Sequence, residues 1–179
     1  MDAVEASIRD RLHEGDRRET APSETVAAMA LSDSKVLGAV LECLDDPDPG
    51  VVSHAAHALM RVGEQRPELF EPFCDFLLER LARLKQWEIG EQLPKILVRV
   101  NLSDFQVEAL VRTLERNIAS EWSIVAACSL QAIVDLAMSG RIDAQRAKTH
   151  LDSALTSKRK ALAARARRLS ARLAQATMS

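Results

Sequence analysis

The 179-residue sequence contains no tyrosine, and aromatic residues amount to only 3% of it. An all-β sandwich or barrel draws on aromatics and on frequent turn glycines, and six glycines in the whole chain supply few turns. The same shortage leaves little material for a glycine-rich phosphate cradle, and there is no Gly-x-Ser-x-Gly nucleophile elbow. The three cysteines, Cys43, Cys74 and Cys128, are odd in number, far apart and form no C-x-x-C pair. Each sits among apolar neighbours, so buried reduced thiols are expected, a usage that suits a reducing cytoplasm. The first nineteen residues mix acids with bases and contain no apolar run, so no secretion signal is expected there. No window approaches the roughly 18 apolar residues that a membrane span requires.

What is abundant is helix material. Hydrophobic residues, mostly Ala, Leu, Val and Ile, make up 47% and charged residues 28%, a balance typical of globular domains and rich in strong helix formers. A chain of this length buries enough surface to hold together without a disulfide or a metal. Net charge is −2, but it is unevenly spread. Residues 1–152 carry all 26 acids and 17 bases, a net −9, whereas residues 153–179 carry seven bases and no acid, a net +7. Such asymmetry raises the question of an acidic partner.

Apolar spacing is helical nearly throughout. It predicts helices over residues 2–14 and 23–31, joined by the polar link GDRRETAPS. Val36, Leu37, Val40, Leu41 and Leu44 mark a helix that stops at DDPDP, and Val51, Ala55, Ala58, Leu59 and Val62 mark the next. Asp48 followed by Pro49 is an N-cap followed by proline at the first helical position. Asp45 and Asp46 close the preceding helix and are expected to face water. Pro67 opens a third helix along Phe70, Phe73, Cys74, Leu77, Leu81 and Leu84, and a break at Lys85–Gln86 leads to Ile89, Leu93, Ile96, Leu97 and Val100. Pro94 inside that segment should kink it or delay its start. Ser103 and Gln106 form a capping box ahead of Val107–Ile118, and a helix from near Trp122 ends at Gly140. The last pair starts at Asp143 and restarts at Ser157.

The second helices of these pairs should start near residues 49, 86, 121 and 158. A regular period of helix-turn-helix units without strand signals predicts an all-α chain, a short α-solenoid of about four antiparallel hairpins near 34–65, 67–101, 103–140 and 143–176. Residues 1–31 form a helical N-terminal cap to this 32–179 repeat domain.

The stretch LDDPDPGVVSHAAHALMRVGEQRPELFEPFCDFLLERL resembles a HEAT repeat of the armadillo-like family. The Asp-Pro corner at Asp46–Pro49, Val51, the small residues Ala55 and Ala58 before Leu59, and Pro67 carry the resemblance. Val52 departs from the arginine common at that position, and the later corners, ASEWS and TSKRK, lack the Asp-Pro turn. The resemblance implies stacked hairpins that bind a protein or, less often, a nucleic acid.

Candidate contact residues follow from this frame. Val52, His54, His57 and Met60 fall away from the apolar face of their helix, and Glu88 and Glu91 occupy the neighbouring second helix, so all six are expected on an exposed partner-binding ridge. His54 and His57, three residues apart, could reach one metal ion, with Glu88 or Glu91 as a further ligand. With no HExxH motif or acid on the same helix, the adopted reading is exposed histidines and no metal. His13 and His150 stand isolated on polar segments. Lys158, Arg159, Lys160, Arg165, Arg167, Arg168 and Arg172 make the final segment a basic amphipathic helix with Leu162, Ala166, Leu169 and Leu173 on its apolar side. Three readings of it stand open: a charged cap on the last hairpin, a phosphate-tracking surface for nucleic acid, or a dock for an acidic protein, including another copy of this chain. The sequence therefore reads as a non-catalytic, cytoplasmic scaffold without cofactor, binding a protein partner and no membrane, with nucleic-acid binding as the alternative.

Overall fold

The structure, a computed structural model, describes residues 3–16 and 19–177, without the side chains of 176 and 177. Asp2, Arg17 and Arg18, which belong to the expected first helix and polar link, lie outside the described residues. Ten α-helices and no strand occur among those described: α1 (Ala3–His13), α2 (Ala21–Ala30), α3 (Ser34–Glu42), α4 (Pro49–Gln65), α5 (Cys74–Arg83), α6 (Trp87–Leu97), α7 (Asp104–Ile118), α8 (Ser123–Met138), α9 (Ala144–Leu155) and α10 (Lys160–Thr177). They group into two compact units, residues 1–101 and 102–179.

In the first unit, α3 pairs with α4, α5 pairs with α6, and α4 packs along α6. The corner before α4 forms as its residues demand. Asp48 is extended, and its Oδ1 accepts from Gly50 N at 2.7 Å and from Val51 N at 3.3 Å, ahead of Pro49 in the first turn. These backbone bonds hold the Asp48 carboxyl below its ordinary range. Asp45 and Asp46 do not simply face water. Asp46 accepts from Arg9 Nε at 2.7 Å and Nη2 at 3.2 Å and from Asp48 N at 2.8 Å, so it joins α1 to the corner. Asp45 accepts from Arg80 Nε at 2.8 Å, which joins the corner to α5. His13 is likewise not isolated, since its Nδ1 lies 3.1 Å from Asp48 Oδ2.

Helix α5 starts later than its apolar spacing predicts. Residues Pro67–Phe73 form a 3-10 stretch containing Pro72, which lacks the N–H that a regular helix would use there. Pro94 lies within α6, which begins at Trp87 as expected but stops at Leu97, short of Val100.

Helix α4 is buried on nearly every side: Val51, Val52, Ala55, Ala56, Ala58, Leu59, Met60 and Val62 are all shielded from solvent. The reason is that α6 packs along one side of it while α1 and α2 fold over the face that its own apolar spacing leaves polar. Ile8 and Leu12 of α1 and Val26 and Ala27 of α2 supply the covering apolar surface.

In the second unit, α7 pairs with α8, α9 pairs with α10, and α8 packs on α10. Ser103 and Gln106 complete the capping box at α7. At the end of α8, Gly140 (φ 72°) lets Arg141 N reach Leu136 O at 2.9 Å and Gly140 N reach Ala137 O at 3.0 Å, which satisfies the last carbonyls. Arg146 of α9 joins α7 by donating from Nε to Glu115 at 2.8 Å and from Nη1 to Glu108 at 2.8 Å. His150 adds a 3.0 Å contact to Glu115, so it too is engaged rather than isolated. Across the four pairs the second helices begin at 49, 87, 123 and 160. The three cysteines are buried and unpaired, and burial pushes the Cys43 thiol up to about 11.

Candidate functional site

The cover of α1 and α2 over α4 leaves a cleft of about 850 Å³ in the first unit. Its floor is α4, which presents Ser53, His54 and His57 at the one-turn spacing that places them on one side of a helix. One wall is the chain between α1 and α2 with the start of α2: Asp16, Glu19, Thr20 and Ser23. The other wall is the first turn and a half of α6: Trp87, Glu88, Glu91 and Gln92.

The floor is held by polar contacts that need no ligand. His54, 3% exposed, has Nδ1 2.7 Å from Leu12 O and Nε2 3.2 Å from Asp16 O. It thereby engages one of the orphan carbonyls at the end of α1. The Ser23 hydroxyl donates to Thr20 O at 2.8 Å, and its oxygen lies 2.8 Å from His57 Nδ1. Burial lowers the His57 pKa, opposed in part by the nearby Glu24 carboxylate. Arg61, one turn beyond His57, clamps α2 to α4 through Glu24, with Nε 2.9 Å from Oε1. The serine and histidine are adjacent, but the hydroxyl proton is directed at a backbone carbonyl and Ser23 has no exposed surface. That arrangement stabilises the α2–α4 contact and presents no nucleophile to the cleft.

Four carboxylates line the cleft, Asp16, Glu19, Glu88 and Glu91, and no lysine or arginine does so among the described residues. Among the described residues Lys95 engages two of the lining groups, with Nζ 3.5 Å from Glu91 Oε1 and 2.9 Å from Gln92 Oε1. Glu88 is only 2% exposed, whereas Trp87 beside it keeps 37% of its surface in solvent. An acid-lined recess next to an exposed indole is suited to a cationic side chain, through charge-assisted hydrogen bonds and the attraction of a cation for the ring face.

The exposed ridge expected from sequence is therefore corrected. Val52, His54, Met60 and Glu88 are buried, and His57 and Glu91 are half-buried, because α6 packs along α4 and the α1–α2 segment covers the side of α4 that carries the two histidines. Four of the six, His54, His57, Glu88 and Glu91, nevertheless meet in the cleft, while Val52 and Met60 pack into the core. Asp16, Glu19, Ser23, Ser53 and Trp87 were not singled out by sequence. The one available signal was Trp87, a rare aromatic at the start of a helix and next to an acid. Among the described residues no group of three or more His, Cys, Asp or Glu is placed to hold a metal ion.

The second candidate surface is α10. Leu162, Ala163, Ala166, Leu169 and Leu173 are buried against α8 and α9. Lys158, Lys160, Arg167, Arg168 and Arg172 are exposed, and Arg159 and Arg165 are half-buried. Arg159 is anchored to the α7–α8 turn, donating to Ser120 O at 2.8 Å and Ser123 Oγ at 3.2 Å, and Arg172 lies 3.4 Å from Asp135. No helix of the described residues is long and apolar enough to cross a membrane.

No family model matches the chain, and no curated protein does. Among solved structures, an engineered protein is similar over 97% of this chain and 80% of its own, with a TM-score of 0.58 at 20% identity. A second engineered protein is similar over 95% of this chain and 47% of its own, with a TM-score of 0.56 and again 20% identity. At that identity the likeness concerns the fold alone.

Proposed function

We propose that the chain is a non-catalytic scaffold built from HEAT-like hairpins, and that it binds a basic segment of a partner protein in the cleft of its first unit. The hairpin reading is supported by the contact of successive second helices, α4 with α6 and α8 with α10, and by their starts 38, 36 and 37 residues apart. The binding reading is carried by one observation: a cleft of about 850 Å³ lined by four carboxylates beside an exposed indole. An arginine side chain suits it best, since the planar guanidinium bonds carboxylates two at a time and stacks on an aromatic face. The Ser23 hydroxyl is committed to Thr20 O, which supports a cleft that binds rather than reacts.

The test uses Trp87 as reporter in a Trp122→Phe background. Titration with an acetylated, amidated peptide of alternating Gly and Arg should change its emission. The citrulline counterpart, neutral but of the same shape, should bind at least about tenfold more weakly, or about 1.4 kcal/mol. Glu88→Gln with Glu91→Gln should remove the difference. Equal binding of the two peptides, or an unchanged preference in the double variant, contradicts the proposal.

A further inference from the structure

The two units carry opposite charge. Residues 1–101 hold 12 lysines and arginines against 19 acids, a net −7, while residues 102–179 hold 12 against seven, a net +5. The positive excess is concentrated on α10, and its use does not depend on the cleft in the first unit.

At about 100° per residue, Lys160, Arg165, Arg167, Arg168 and Arg172 fall within an arc of about 160° on α10. The buried Leu162, Ala163, Ala166, Leu169 and Leu173 take the opposite side. Helices of folded domains commonly spend surface cations on internal ion pairs, and this protein does so elsewhere, with Arg9, Arg61, Arg80 and Arg146 each facing a carboxylate. On α10 and the turn before it, Arg159 and Arg172 are the cations engaged among the described residues. The side chains of Lys158, Lys160, Arg165, Arg167 and Arg168 pair with no acid among the described residues. No acid follows Asp152 in the chain. Between the cations the outward arc holds Ala161, Ala164 and Ala171, small residues that let a flat or convex ligand approach the helix closely.

We infer that this face of α10 binds the phosphate backbone of a nucleic-acid duplex, independently of base sequence. The run from Lys160 to Arg172 extends about 18 Å at 1.5 Å per residue, the length of about five base steps at 3.4 Å each. The apolar side of α10 is committed to α8 and α9, so the helix lies along the backbone rather than presenting base-reading contacts on all sides. The helix carries no aromatic on which an unpaired base could stack, which favours duplex over single strand. It also lacks the outward Phe, Trp or Leu that would anchor it in a lipid surface.

Fluorescence anisotropy with labelled 20-base-pair DNA and RNA duplexes tests the inference on the full chain. Four phosphate contacts predict a slope of log K against log salt of about −3.6, hence about 150-fold weaker binding at 200 mM than at 50 mM salt. The four exchanges K160Q, R165Q, R167Q and R168Q together should flatten the slope to above −1, and R168Q alone should reduce it by about 0.9. The Lys35→Gln, Arg83→Gln control in the first unit should change neither. All of these side chains but the half-buried Arg165 are exposed, and circular dichroism of each variant confirms that a loss of binding is not a loss of fold. Absence of duplex binding at 50 mM salt, or full binding by the fourfold variant, overturns the inference. So does tighter binding of a 20-base single strand, of poly-glutamate or of vesicles containing phosphatidylserine. DNA and RNA duplexes of similar affinity indicate backbone recognition, whereas a preference for one names the source of the phosphates.

Discussion

A methyl group added at Gly63 reports directly on how closely α4 and α6 approach. It would stand 3.2 Å from both Cγ1 and Cγ2 of Ile96 and 3.5 Å from its Cβ. In an exposed helix, glycine to alanine stabilises by about 1 kcal/mol. Here the neighbour is a fully buried, β-branched side chain with one strongly preferred rotamer, so it cannot swing aside. Overpacking of this kind costs about 1–3 kcal/mol. Gly63→Ala should therefore destabilise the first unit by a net of about 1 kcal/mol, which lowers Tm by about 4–8 °C for a unit of this size. Ile96→Ala alone should cost about 2–5 kcal/mol through the cavity it leaves. In the double variant the new methyl enters that cavity, so the loss should fall short of the sum by about 1–2 kcal/mol. Urea unfolding followed by Trp87 fluorescence, in a Trp122→Phe background, reads the first unit alone. Gly63→Ala at least as stable as the parent, with strict additivity in the double variant, would refute the close packing of the two helices.

Asp48→Ala should lose about 0.5–2 kcal/mol of cap energy in the same unfolding assay. Because the folded state holds the Asp48 carboxyl low, its contribution is present above the unfolded value near pH 3.9 and lost as pH falls through the folded one, so the variant should show a shallower acid limb. Burial lowers the His57 pKa, so the unfolded chain takes up its proton first as pH drops below about 6.5, and stability should decline there. His57→Gln should remove that part of the decline between pH 7.5 and 5. Glu115→Gln should weaken the α7–α9 contact by about 1 kcal/mol, a charge-assisted bond discounted for partial exposure, and lower the Tm of the second unit. A disulfide reagent at pH 8 should leave the native thiols almost unmodified and react with all three in urea.

The helices and their caps were readable because each rests on local chemistry. Asp48–Pro49, Ser103 with Gln106, and Gly140 each satisfy backbone groups within a few residues, and the structure places all three where the sequence does. The exposure of α4 was misread because it depends on a contact across the chain. Nothing within Pro49–Gln65 tells that α1 and α2 will cover its polar side, and two ordinary polar residues there, His54 and His57, are the ones bonded to the covering segment. The same gap hid the partners of Asp45 and Asp46, since Arg80 and Arg9 lie 35 and 37 residues away. The cleft itself became visible only once three separate segments had been brought together. The amphipathic character of α10 needed no such contact, and its two sides were assigned by spacing alone.

On the proposed function, a partner enters the cleft of the first unit. A photo-cross-linking residue at Ser53, on the cleft floor, compared with one at exposed Lys35, tests it most directly. In an extract of the native host, Ser53 should yield one dominant adduct that Lys35 does not. Mass spectrometry should map it to a Lys/Arg-rich segment, and Glu88→Gln with Glu91→Gln should abolish it. The same adducts from both positions, or a Ser53 adduct untouched by the two glutamate exchanges, would contradict the account.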